Sequence, residues 1–195
     1  QAKKVYFLTR HGEKDTEDMS SGKSVSYFKQ ALEQEAYETE NLELAGLTEV
    51  PEDCSLLVIA GPQTSLFENE VAAIKDYLRY GGSLILMQDP RTVTGLESLL
   101  RESYGIWIRD DIILDNDPLS AVFGQTQLVL TIGAASYGSH AATNGIRDIM
   151  TVYPQVRSLQ KDPALPTGVR VTELVKSSND SFGETEIDRL FGEKT

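Results

Sequence analysis

Three short apolar runs dominate the first half of the chain: residues 4–9 (KVYFLT), 55–60 (SLLVIA) and 83–87 (SLILM). They have strand length, and the second and third are too uniformly apolar to leave one face of a sheet in water. Strands buried on both faces belong to parallel sheets covered by helices. The intervening segments supply those helices. Over residues 24–39, Val25, Phe28, Leu32 and Ala36 fall at helical spacing. Ser65 and Glu68 then form a capping box, Phe67, Val71, Ile74 and Leu78 line one helix face, and Gly81-Gly82 ends it. Thr94 and Glu97 make a second capping box before Leu96, Leu99 and Leu100, with Gly105 as the stop. Strand, helix, strand, helix predicts an α/β fold, three-layered, with a mostly parallel sheet joined by right-handed crossovers.

Residues 41–44 supply a second strand, and residues 106–114 alternate like a strand around Trp107. Past residue 117 the rhythm changes. Residues 127–132 read as a strand, 133–138 as small and flexible, and 144–150 as a short helix. Strands are expected over 151–159 and 168–176, then a polar, loosely held tail from residue 177. The chain thus divides into an α/β core, 1–135, and a β-rich extension, 136–195, packed on it as one compact unit.

Composition removes several functions. Eighteen Lys and Arg against thirty Asp and Glu leave a net charge of −12, which opposes nucleic acid as a partner. Cys54 is the only cysteine and His11 and His140 the only histidines, so an internal disulfide, a Cys-rich zinc site and a multi-histidine metal centre are excluded. The longest apolar stretches, such as 56–60, fall far short of the ~20 residues of a membrane-spanning helix. No G-x-G-x-x-G or G-x-x-x-x-G-K-[ST] occurs, so no nucleotide cofactor is expected.

The polar residues that follow the strands are the candidate site. In an open parallel sheet the carboxyl ends of the strands share one edge, where ligands bind. That edge would gather His11, Gly12 and Glu13 after the first strand, Gly61, Pro62 and Gln63 after the 55–60 strand, and Asp89 and Pro90 after the 83–87 strand. His11 could transfer a proton there, or these groups could simply cap strands and helices. Arg10-His11-Gly12-Glu13 also resembles the phosphohistidine turn of the histidine phosphatase family, with His140 as a second histidine, but the stretch after Gly61 has no arginine for a phosphoryl group. Gly133 to Gly138 misses the G-x-S-x-G spacing by one residue. Cys54 reads as a buried thiol, Trp107 as packing, and Asp110, Asp111, Asp115 and Asp117 as a solvated acidic loop that Pro118 bars from calcium-loop geometry.

The order of motifs along the chain resembles the GldG-like auxiliary subunits of ABC-2-type transport systems, a gliding-motility family whose domain is related to one in intraflagellar transport proteins. The residues that carry this are 5–13 (VYFLTRHGE), Ile59-Ala60-Gly61-Pro62, Glu70, 77–82 (YLRYGG) and Asp89-Pro90, then Tyr104-Gly105-Ile106 with Asp115. His140-Ala141-Ala142-Thr143, Val156-Arg157-Ser158-Leu159 and 174–178 (LVKSS) complete the series. The family more often has glycine at the position of Arg10.

The resemblance implies a flavodoxin-like or class I glutamine amidotransferase-like fold, held outside the cytoplasm by flanking membrane helices, with this chain as an excised soluble domain. It assigns no chemistry. An active amidotransferase-like enzyme would carry cysteine on the turn where this chain has Gly61-Pro62-Gln63. The expected role is therefore non-catalytic: ligand or partner binding, or scaffolding, without a cofactor or metal. Expected partners are the permease and ATPase subunits of an ABC transporter, a second copy of the chain, or a glycan or peptide ligand. The alternative is an enzyme, phosphatase-like or hydrolase, working through His11.

Overall fold

The computed structural model describes residues 3–116 and 126–192, and the chain divides into two compact units, Gln1–Glu97 and Ser98–Thr195. This division runs within the stretch read above as the core.

In the first unit, β1 (Lys4–Leu8), β2 (Glu38–Leu42), β3 (Cys54–Ala60) and β4 (Leu84–Met87) form one parallel sheet in the order β2-β1-β3-β4. Val5 lies beside Thr39 on one side and Leu56 on the other, and Ile59 beside Leu86. Parallel pairing needs a crossover between strands. Helix α1 (Ser26–Gln34) supplies the one between β1 and β2, and α2 (Glu68–Arg79) the one between β3 and β4. Val5, Phe7, Val58 and Ala60 share one face with Val25, and Phe28 and Leu32 of α1 pack against them. Phe28 meets the Phe7 ring edge-on at 6.1 Å. Residues of the other parity, Tyr6, Leu8, Leu57 and Ile59, are also buried, so both faces of the sheet are covered, as the apolar runs predict. Each such side chain adds about 1.5–3 kcal/mol relative to exposure.

Several local expectations are corrected. Helix α1 stops at Gln34, because Ala36 takes a left-handed φ of 62° and turns the chain into β2. β2 begins at Glu38, ahead of the expected 41–44, and is nearly all polar because it is an exposed edge strand. The N-cap of α2 is Phe67, and Glu70 rather than Glu68 accepts its N–H, at 2.8 Å. Phe67 is accordingly 61% exposed. The buried stripe of α2 is Glu70, Ala73 and Ile74. Thr94 and Glu97 do pair, the Thr94 N–H 2.7 Å from the Glu97 carboxylate, but the helix that follows begins at Glu97 itself and the Thr94 hydroxyl accepts the Leu96 N–H.

The second unit is built of antiparallel pairs. Residues 106–114 form two strands, β5 (Ile106–Ile108) and β6 (Ile112–Asp115), which follow α3 (Glu97–Tyr104). β7 (Val129–Ile132) pairs with β8 (Thr151–Pro154), β5 with β9 (Leu159–Lys161), and β6 with β10 (Ser181–Glu184). The expected 144–150 helix is instead α4 (Ala141–Asn144), the 151–159 strand is split between β8 and β9, and the 168–176 strand is reduced to a bridge at Val175. The polar tail contains β10 and a short helix, α5 (Ile187–Leu190).

Of the acidic cluster, Asp110 is exposed as expected, but Asp111 and Asp115 are buried, at 5% and 2% exposure. Asp111 accepts the N–H and hydroxyl of Ser158 at 2.8 and 2.7 Å, and Asp115 accepts the hydroxyl of Ser178 at 2.5 Å. These carboxylates fasten distant segments of a unit whose strand pairs are only three or four residues long. Asp117 and Pro118 lie outside the described residues. Trp107 is half-buried, as expected for packing, and the guanidinium groups of Arg101 and Arg109 lie about 4 Å from its ring.

Candidate functional site

The strand-end edge of the first unit assembles as the parallel topology requires. The loops after β1 and β3 are sewn together through the backbone. Lys14 N–H donates to Ala60 O at 2.8 Å, and Gln63 and Thr64 N–H both donate to His11 O, at 2.7 and 3.0 Å. Gly61 N–H donates to Met87 O at 2.7 Å, joining the end of β4. This close approach requires glycine at position 12, where φ is +79° and a Cβ would stand 2.9 Å from Gln63 Cβ. Pro62 is buried, and the Gln63 amide folds back to donate to Gly61 O at 2.9 Å.

At the centre lies His11, with its side chain 2% exposed between two carboxylates. Its Nδ1 is 3.2 Å from Glu13 Oε1, and its Nε2 is 2.8 Å from Glu70 Oε2. The second approach lacks hydrogen-bond alignment, so it is a close polar contact rather than a formed bond. Glu13 also accepts the His11 backbone N–H at 2.7 Å, closing a tight local ring. The exposed Phe67 ring stands edge-on to the imidazole at 5.7 Å. On the more open side, Lys14 Nζ lies 3.1 Å from Asp89 Oδ2, with side chains 33% and 48% exposed.

His11, Gly12, Glu13, Gly61, Gln63 and Asp89 thus lie on the linked strand ends. His140 belongs to the second unit. There it caps α4, its Nδ1 accepting the Ala142 N–H at 3.2 Å. Two members of the edge were absent from the candidate set. Lys14 follows the turn directly, and only the fold supplies its partner. Glu70 sits in the first turn of α2, where a carboxylate normally caps backbone, and burial with His11 becomes visible only once β1 and α2 meet. Among the described residues no group of His, Cys, Asp and Glu is arranged to hold a metal ion. Cys54 opens β3, its thiol buried and pushed up in pKa by that burial.

Residues 2–192 match the protein family described as an ABC-type uncharacterized transport system. No curated protein is a significant match. Among solved structures the fold is similar to that of the "mmIFT52 N-terminal domain", at 18% identity and a TM-score of 0.64, over 91% of this chain and 79% of that one. No helix among the described residues is long and apolar enough to cross a membrane.

Proposed function

The chain belongs to the family described as an ABC-type uncharacterized transport system, and on that premise we propose that it is a non-catalytic domain of an auxiliary component, binding or scaffolding transporter subunits on the extracytoplasmic side of the membrane. The observation that carries this reading is the closed state of the strand-end edge. A catalytic histidine must reach its substrate, whereas His11 is 2% exposed and both ring nitrogens face carboxylates. Its polar groups hold loops together. What the edge offers outward is a rim with Phe67 and Val93, each 61% exposed, joined where Ser65 Oγ donates to Val93 O at 2.9 Å. This rim is the contact we assign to a permease or ATPase-linked subunit, a second copy, or a peptide or glycan ligand. The order β2-β1-β3-β4 agrees with the first four places of the flavodoxin-like order, which supports that narrower fold assignment.

The test is photocrosslinking in cells from a reactive residue placed at Phe67 or Val93, with Tyr80, 81% exposed, as the control site. Crosslinks to transporter subunits from the rim but not from Tyr80 are expected, and equal or absent crosslinking removes the reading. Because Cys54 is buried, a Gln63→Cys variant reports location: a membrane-impermeant maleimide should label it in intact cells. Phosphatase or esterase activity that disappears in His11→Gln would establish the enzyme instead.

A further inference from the structure

The second unit contains a cleft of about 570 Å³, within the size range of binding sites. Its floor is apolar, from Ile113 of β6, Leu130 and Ile132 of β7, and Tyr153 of β8. Residues 156–159 form one wall, and Glu173 with residues 175–177 the other.

The second wall is a piece of strand with one edge open. Gly138 N–H donates to Leu174 O and Lys176 N–H to Ser136 O, both at 2.9 Å, which makes Tyr137 and Val175 an antiparallel bridge. Hydrogen bonds flank that pair, so the N–H and C=O of Val175 point away from residues 136–138. Neither has a backbone partner among the described residues, and Val175 lines the cleft at 39% exposure. An apolar small molecule would cover these groups and leave them unpaired, at a cost. An extended polypeptide would pair them and set alternate side chains on the apolar floor.

We propose that this cleft receives an extended segment of a partner protein as an added strand along residues 173–177. Its charged lining residues are already paired, Lys176 with Glu173 at 2.8 Å and Arg157 with Asp110 at 3.5 Å, so the cleft selects by its apolar floor and its open backbone edge. The segment it fits has apolar residues at alternate positions and small polar ones between them. The proposal rests on the second unit alone and stands apart from the reading of the strand-end edge.

The experiment is amide NMR of the full chain, titrated with a pool of short peptides that alternate Val, Ile or Tyr with Thr or Ser. Expected are shifts of the Val175 and Ser177 amides, slowed exchange at Val175, and at least about a tenfold loss of affinity when the peptides are N-methylated at alternate residues. Methylation alters only the ligand, so the comparison survives if a Val175→Pro variant fails to fold. No binding at about 1 mM, shifts elsewhere, or equal binding of the methylated pool would overturn the proposal. So would loss of the same amide signals with increasing protein concentration in the absence of peptide, which assigns the edge to a second copy.

Discussion

The Nε2 atom of His11 lies 2.8 Å from a carboxylate oxygen of Glu70, with both side chains at most 2% exposed. One residue lies at the start of the loop leaving β1 and the other occupies the first turn of α2, so the contact fixes where that helix begins relative to the sheet. The same carboxylate oxygen accepts the Phe67 N–H at 2.8 Å. One buried group therefore serves as both a helix cap and a tertiary tie.

Glu70→Ala should lower unfolding stability by about 1–3 kcal/mol, because it strips the cap from the Phe67 N–H and removes the polar group that faces the buried His11 ring. The double variant with His11→Ala should lose less than the sum of the single variants, by at least about 1 kcal/mol. Urea titrations of the four proteins give the coupling, and strictly additive losses would show that the two residues act separately.

Gly12→Ala should cost about 1–2 kcal/mol, since φ there is +79° and the new Cβ would meet Gln63 Cβ at 2.9 Å. The damage should centre on the seam between the loops. Hydrogen exchange at Gln63 N–H, which donates to His11 O, should speed up more than at amides of β3. An unchanged melt and unchanged exchange would contradict the close approach.

Alkali should weaken the fold through Tyr77 and Cys54. Burial raises the Tyr77 phenol to about 12 from 10.0, and its bond with the Cys54 thiol adds to the rise. Burial likewise pushes the Cys54 thiol above its ordinary 9.0. Both groups ionise earlier in the unfolded chain, so stability is full below about pH 9 and falls as pH rises through about 12. Denaturation midpoints measured against pH should decline over that window, and Tyr77→Phe should flatten the decline. Native Cys54 should resist thiol reagents at pH 8 until the chain unfolds.

Glu97 should act at the opposite end of the pH scale. Burial opposes its charge, but the N–H groups of Thr94 and Gly95 and the Gln88 amide hold the carboxyl below its ordinary 4.5. A depressed carboxyl stabilises the fold above its unfolded pKa, and that stability disappears as pH falls through the folded value. Glu97→Gln should therefore cost about 1 kcal/mol near neutrality and shallow the acid limb of the stability curve. An acid limb identical to that of the parent chain would refute the assignment.

The four-stranded parallel sheet was legible because β1, β3 and β4 announce themselves by apolar content, and the edge residues followed from strand direction. β2 was harder to place. Its sequence ETENL carries no burial pattern, since an edge strand exposes most of its side chains. The start of α2 was misplaced because Ser65 offers the usual capping chemistry, while the observed cap works through the Glu70 carboxylate alone. In the second unit, strands of three or four residues are too short for periodicity to mark their ends. Asp111 and Asp115 looked like solvent-facing charges until Ser158 and Ser178 were brought to them.

The sequence by itself determined the α/β class, the family, the exclusion of a disulfide, and the loops that would share the strand-end edge, because burial periodicity and residue order are local properties. Only the tertiary structure decided what surrounds the histidine of that edge. His11, Glu13 and Glu70 come from a turn and a helix that are far apart in the chain, and packing placed them inside the protein facing one another. A histidine at a strand end reads equally as a catalyst or a tie, and the difference lies in what surrounds the ring.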